Sequence, residues 1–551
     1  MDHTYFNREE AAVKKCPFRI FVNQAGYYPD SKKTAVMNFP CGSFQILDSG
    51  GTCWYEGEAG VFGYDGNSGD TVYRADFSDF TKKGNYRVVS GNEMSAEFCI
   101  GENVYDKVFG DVLKAFYYLR CGCGLEEIYA GVYKHGKCHT APALLYNDKK
   151  TEVNVSGGWH DAGDYGRYVT AGACAAAHLL YAYKMFPSSF EKQLNIPESD
   201  MPSLLAECRY ELEWLIKMQS EDGGVYHKVT TERHAPFVMP EDDTAQLYVF
   251  NVSSSATADC GAVCALASGI YEKYDKNFSE KLRSTAEKAC KWLEKHPEFV
   301  GFENPGNCNT GVYGEKDDHS NRFWIYAEMY ALTGDRKYHD KIKKALENTF
   351  SLTAMGYAEM GGLGALAYLL CGYGTDNILA DKFTDSFHRE AERLKNIAGQ
   401  CGYGCAMEES DFEWGSNMTL MIHGMIFAVS DYLMKKPAYK KYAAAQLDYL
   451  LGVNPTGYSY VTGNGEFCCN NPHLRPAYAD GIDECIPGMI SGGPNRIPCD
   501  RDAEILIPKG TPPMKCYADD VGCYSLNEIT IYWNSPAAFV LGYLCCRDEK
   551  G

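Results

Sequence analysis

Two hydrophobic rhythms divide the chain. Between about residues 17 and 101, apolar side chains alternate with polar ones in short runs. Phe18-Arg19-Ile20-Phe21-Val22 opens the set. Tyr73, Ala75 and Phe77, then Ala96, Phe98 and Ile100, recur at every second position. A period of two puts successive side chains on opposite faces of a strand. Turn-forming clusters separate the runs: Pro29-Asp30-Ser31, Asp48-Ser49-Gly50-Gly51 and Lys83-Gly84-Asn85. This spacing predicts an antiparallel β-sandwich of immunoglobulin-like size over 17–101.

Over 104–548 the period becomes helical. Leu205, Cys208, Leu212 and Leu215 follow a 3-4-3 spacing. Similar segments recur near 104–120, 167–186, 202–219, 255–275, 278–295, 320–333, 336–350, 358–372, 376–398, 415–433, 437–452 and 531–546. An even set of long helices predicts helix pairs closing into a ring. The loops 221–255, 301–319 and 453–530 are long and rich in aromatic residues, which marks them as carriers of function. The expected molecule is multidomain, a sandwich followed by an all-α domain.

Composition narrows the partners. The 551 residues suffice for more than one core, and a formal charge of −20 argues against nucleic acid or an anionic membrane as partner. Neutral ligands stay open. No run reaches about 18 apolar residues, so no membrane span is expected. The polar N-terminal segment carries Glu9, Glu10 and Lys14 with no apolar h-region. A cytoplasmic protein is expected, or a secreted one whose leader has been removed. Of the 24 cysteines, Cys174, Cys260, Cys264, Cys545 and Cys546 fall inside apolar helical segments, where a free thiol acts as a small hydrophobe. Reduced cysteines agree with a reducing compartment.

The candidate chemistry lies in carboxylates. Gly157-Gly158-Trp159-His160-Asp161-Ala162-Gly163-Asp164-Tyr165 holds two aspartates three residues apart. Side chains at that spacing can converge on one small volume, and Gly163 lets the backbone pass closely. Trp159 and Tyr165 offer flat faces that suit sugar rings. The plainer reading makes both aspartates turn formers, with Asp164 capping the next helix. A second set lies in Tyr517-Ala518-Asp519-Asp520, Tyr524 and Asn527-Glu528. Ser525-Leu526-Asn527-Glu528 also fits a capping box, which would make Glu528 structural. Hydrolysis by water needs one carboxylate to deprotonate the nucleophile and another to protonate the leaving group. His473 and Arg475, at alternate positions of Asn471-Pro472-His473-Leu474-Arg475-Pro476, point the same way if the segment is extended, toward substrate hydroxyls.

Cys121, Cys138, His139 and His160 form a candidate tetrahedral Cys2His2 set, with Cys123 as a substitute for Cys121 and His135 as a further candidate. A zinc there would pin the loop bearing Asp161. With four protein ligands and no open position its role would be structural.

These motifs resemble glycoside hydrolase family 9, cellulases with an N-terminal immunoglobulin-like module, over nearly the whole chain. Val22-Asn23-Gln24-Ala25-Gly26-Tyr27 is similar to the start of that module, and GGWHDAGDYGRY resembles the family's base motif. Tyr517, Asp519, Tyr524, Glu528, Thr530, Asn534 and Ser535 match the C-terminal pattern. Leu451-Gly452-Val453-Asn454-Pro455, Trp414-Gly415-Ser416-Asn417 and Pro487-Gly488-Met489 resemble family segments.

The resemblance implies an (α/α)6 barrel and an inverting hydrolase of β-1,4-glucosidic bonds in cellulose-type glucans and cello-oligosaccharides. Asp164 would be the base, Asp161 would hold the water, Glu528 would be the acid and Asp519 a supporting carboxylate. His473 and Arg475 would contact substrate, as would Trp159, Tyr165, Tyr524 and Trp414. The zinc set resembles that of the immunoglobulin-bearing subgroup, and many relatives also bind calcium. No organic cofactor is expected. Phe467, Leu474 and Cys523 depart from the family pattern and bear on sugar and chain length. An exo-β-glucosaminidase acting on chitosan fragments is the alternative among enzymes of similar architecture. A non-catalytic carbohydrate-binding protein, or a phosphorylase, would be expected to lack one of the carboxylates.

Overall fold

The computed structural model describes residues 14–197 and 199–546. The polar segment 1–13, read above for a leader, lies outside them. The described residues form an N-terminal antiparallel sheet domain followed by a helical domain. By density of contacts they fall into two units. One comprises residues 14–115, 392–431 and 436–544; the other comprises 116–197, 199–391, 432–435 and 545–546.

The first unit contains the sheet domain. Its strands run, in spatial order, Ile20–Phe21, Thr34–Met37, Asp70–Asp76, Cys53–Asp65, Ser43–Asp48, Gly84–Ser90 and Glu93–Met94, with Phe98–Ile100 also on Gly84–Ser90. Cys53–Asp65 is 13 residues long. Its first half pairs with Ser43–Asp48 and its second half with Asp70–Asp76, so one strand serves both layers. The register shifts between Val61 and Gly63, where Gly63 takes φ 121°, a left-handed value that a side chain would oppose. The alternation seen in the sequence reaches the core at Ala75 and Phe77 and at Phe98 and Ile100, and Phe44 and Ile46 join them there. Tyr73 is only partly buried.

The Val22–Tyr27 motif is an anchor within this unit. Asn23 Nδ2 donates to Asp448 Oδ1 at 2.7 Å, and Gln24 N donates to the Leu451 carbonyl at 3.0 Å. The Gln24 amide then bridges the Gly457 carbonyl and the Phe467 N–H, at 2.9 and 2.8 Å. Asp448 is partly buried, and desolvation of its carboxyl pushes its pKa up to about 7.

In the second unit two kinds of helix alternate. Val169–Met185 and Ser254–Tyr271 are buried on almost every face and rich in Ala. Lys276–Lys295 and Arg336–Ala345 are amphipathic, each with one apolar stripe. A helix that is apolar all round belongs inside, and an amphipathic one outside. Accordingly, Ser254–Tyr271 packs against Lys276–Lys295, His319–Thr333 and Val169–Met185. A small sheet absent from the sequence reading crosses this unit. Its order is Glu152–Val153, Ala143–Leu145, Tyr248–Val249, Lys228–Thr230 and Arg167–Tyr168. Its strands have two or three residues, too few to show a period. Among the described residues no helix is long and apolar enough to cross a membrane.

Candidate active site

In the second unit, the segment 157–164 is stapled from beneath. Gly157 and Gly158 take φ values of 108° and 77°, and a Cβ on Gly158 would strike the Trp214 ring at 2.7 Å. The enclosed Arg167 donates to the Gly157 carbonyl at 2.9 Å. Glu211 Oε2 accepts from Trp159 N at 2.7 Å, and Glu207 Oε1 accepts from Trp159 Nε1 at 2.9 Å. His160 N donates to the Leu119 carbonyl and Asp161 N to that of Gly166.

This scaffold fixes the two aspartates. Asp161 is 1% exposed and accepts a hydrogen bond from the Tyr313 hydroxyl at 2.5 Å. Asp164 Oδ2 lies 2.8 Å from His234 Nδ1 and 3.4 Å from the Tyr168 hydroxyl. The Tyr313 ring packs between Tyr168 and Tyr357. Asp164 does not cap the following helix, whose N-cap is Tyr168 with no side-chain cap. The sequence reading missed His234 and Tyr313. Both lie in the long loops singled out as functional, but nothing local distinguishes them from other loop residues.

Two expected sugar platforms are corrected here. Trp159 is 1% exposed, packed on Phe116 and bonded to Glu207, so no face is open to a ligand. Tyr165 is also buried, donates to the Val238 carbonyl, and lies against the His139 and His160 rings. Both support the loop that carries the aspartates.

In the first unit, Glu528 follows the helical turn Tyr524–Asn527 instead of standing inside a helix start, so the capping box does not form. The Ser525 hydroxyl is taken by Asp500 Oδ2, and Glu528 bridges to His473 in an isolated parallel pair. Asp519 accepts four hydrogen bonds, from the N–H groups of Asn470 and Asn471 and the side-chain amides of Asn471 and Asn527, at 2.9–3.1 Å. It ties the His473 loop to the Glu528 segment. His473 Nδ1 lies 2.7 Å from the Val521 carbonyl. Arg475 opens the short helix Arg475–Ala479 and is buried, so the extended run ends at Leu474. The Tyr524 ring stands 5.8 Å from His473 and 5.4 Å from Trp414, whose 47% exposure leaves an open aromatic face.

Cys121, Cys138, His139 and His160 are all buried, and their donor atoms lie within 4.8 Å of one another. Two sulfurs and two imidazole nitrogens are a borderline-soft tetrahedral donor set. Zn–S near 2.3 Å and Zn–N near 2.05 Å place such donors about 3.3–3.8 Å apart. His160 Nε2 and His139 Nδ1 are 3.3 Å apart, which fits. His139 takes φ 49°, the left-handed turn by which adjacent Cys138 and His139 both face the cluster. Its other nitrogen lies 3.2 Å from Asp243 Oδ2, the outer partner that metal-bound histidines usually have. Cys121, rather than Cys123, belongs to the group, and His135 stands outside it.

Comparison with known proteins identifies the family of the chain. The profile of glycosyl hydrolase family 9 matches residues 105–541, and that of the cellulase N-terminal ig-like domain matches 17–95. A cellodextrinase of Butyrivibrio fibrisolvens is 45% identical over 95% of this chain and 99% of its own. A thermostable endoglucanase of Alicyclobacillus acidocaldarius, solved as a single mutant, superposes with a TM-score of 0.90 at 33% identity, covering 96% of this chain and 100% of that one. AaCel9A, solved with a cellobiose-like isofagomine, gives the same TM-score and identity over 96% of this chain and 99% of its own. The helical domain is thus of the (α/α)6-barrel class, preceded by an immunoglobulin-like sandwich.

Proposed function

The chain belongs to glycosyl hydrolase family 9, whose members are inverting β-1,4-glucan hydrolases, and we propose that it cleaves soluble cello-oligosaccharides with Asp164 as base and Glu528 as acid. The observation that carries this reading is the Asp164 carboxylate bonded to His234, beside an Asp161 held by Tyr313, in a chain 45% identical to a cellodextrinase. Asp164 removes a proton from water while Asp161 orients that water. The water oxygen bonds to the anomeric carbon as the glycosidic C–O bond breaks. Glu528 gives its proton to the departing oxygen, so the new reducing end has inverted configuration. Asp519, with both oxygens engaged, serves as a positioning carboxylate. Trp414 and Tyr524 offer a stacking surface for a glucosyl ring. We assign zinc to Cys121, Cys138, His139 and His160, in a structural role.

The test is a proton-NMR time course with cellopentaose, reading product lengths and new anomers together. Immediate α-anomer signals with shortened products support the reading, and the length distribution separates internal from terminal cutting. Cleavage of chitosan oligosaccharides without cleavage of cellopentaose would transfer the assignment to glucosaminidase action.

A further inference from the structure

We propose that Lys228 is a positioning residue for the hydrolytic water: its buried ammonium anchors the loop 304–311 and thereby holds the Tyr313 hydroxyl on Asp161. Lys228 lies on the strand Lys228–Thr230, directly opposite Tyr168 in the small sheet, and is fully enclosed. An ammonium has three N–H donors. Nζ meets three oxygens, Asn304 Oδ1 at 2.6 Å, Thr310 Oγ1 at 2.9 Å and the Gly311 carbonyl at 2.7 Å. All three belong to one loop, and Asn304 closes it on itself by donating to the Thr310 carbonyl at 2.7 Å. The ammonium also faces the Phe250 and Phe302 rings at 4.7 and 5.4 Å.

A buried charge needs such complete satisfaction to persist. The three oxygen partners are neutral, so the lysine's hydrogen bonds go to the loop and not to a carboxylate. Burial pulls its pKa down to about 8, with the neighbouring Cys308 and Asp164 acting to raise it.

Tyr313 follows that loop by two residues and takes φ 47°, a conformation that bulky side chains rarely adopt. Such strain persists where the surroundings over-determine it. The carbonyls before it are pinned in turn: Gly311 by Lys228, and Val312 by His227 Nε2 at 2.9 Å. Gly311 N donates to the Tyr168 hydroxyl, which itself stands beside Asp164. The anchor therefore fixes both the tyrosine that holds Asp161 and the one that borders Asp164.

The proposal rests on Asp161 and Asp164 being the water-holding pair, so Asp164→Ala is measured alongside. Lys228→Met, Asn304→Leu and Tyr313→Phe are compared singly and in pairs for kcat and KM on cellopentaose, with melting temperatures to establish folding. Lys228→Met is expected to lower kcat roughly 10- to 100-fold, as a misplaced catalytic group does, with KM within about twofold. In the Tyr313→Phe background its further effect should be less than about threefold, because residues acting through one another do not add. Asn304→Leu should behave likewise, and decides the matter if Lys228→Met does not fold. A folded Lys228→Met enzyme with kcat within about twofold of wild type, or losses that multiply fully with Tyr313→Phe, would overturn the proposal while an inactive Asp164→Ala left the functional reading intact. An active Asp164→Ala would sink both.

Discussion

His234 Nδ1 stands 2.8 Å from Asp164 Oδ2, so the carboxylate assigned as base has an imidazole as its immediate partner. An oxygen held in that bond is oriented, and the orientation of the whole carboxylate follows from it. His234→Ala should lower kcat roughly 10- to 100-fold, and His234→Asn, which keeps a donor, should lose less. Steady-state kinetics on cellopentaose checks this, and equal losses in the two variants would remove the hydrogen bond from the explanation.

Removing the proton-transfer groups themselves should have a larger effect. Asp164→Ala and Glu528→Gln are each expected to lower kcat by about 10²–10⁴-fold, the usual worth of general acid–base catalysis. Their melting temperatures should stay near wild type. Turnover near the wild-type rate by either folded variant would return these carboxylates to a structural role.

The Cys121, Cys138, His139 and His160 cluster should bind close to one equivalent of zinc, measurable by elemental analysis of the purified protein. Chelation, or Cys138→Ser, should lower the melting temperature and reduce kcat, because His160 directly precedes Asp161. Protein that carries no metal and melts identically with and without chelator would dismiss the assignment.

Asp448 predicts a pH dependence of stability. Its folded pKa is raised to about 7, against an ordinary carboxylate value near 4. The folded state therefore keeps a proton that the unfolded chain releases. The resulting contribution is fully present below about pH 4 and is lost as pH rises through about 7. Asp448→Asn is neutral at every pH and retains an oxygen for the Asn23 amide. It should match wild type near pH 4 and melt higher near pH 8. A melting difference independent of pH would contradict this account.

Trp414 tests the stacking surface. Trp414→Ala should raise KM for cello-oligosaccharides several-fold with little change in kcat, as expected when an aromatic contact worth about 0.5–1.5 kcal/mol is lost from ground and transition states alike. An unchanged KM across chain lengths would place the sugar elsewhere.

The sequence made some of this legible and hid the rest for physical reasons. The alternation of Ala75 with Phe77 and of Phe98 with Ile100 is a local record of burial, so the sandwich could be read directly. The paired aspartates and the Cys/His set stood out because glycines and adjacent ligands crowd a short segment. Trp159 and Tyr165 were misread because an aromatic beside a carboxylate looks the same whether it faces sugar or core. What decides for Trp159 is Glu207 and Glu211, on a helix some fifty residues later, and for Tyr165 the Val238 carbonyl. Ser525 and Glu528 fit a capping pattern that Asp500 overrides by taking the serine hydroxyl. His234 and Tyr313 acquire meaning only when distant loops meet Asp164 and Asp161, and no local pattern encodes such a meeting.

Asn23 and Gln24 reach from the loop after the first strand of the sandwich to Asp448, Leu451, Gly457 and Phe467. The sandwich is therefore a poor candidate for shuffling between genes. A foreign module grafted in its place would have to bring the same two amides in the same register, and a truncated gene product would leave the Asp448 carboxyl and several carbonyls facing solvent. The junction makes the sandwich and these later segments one inherited unit.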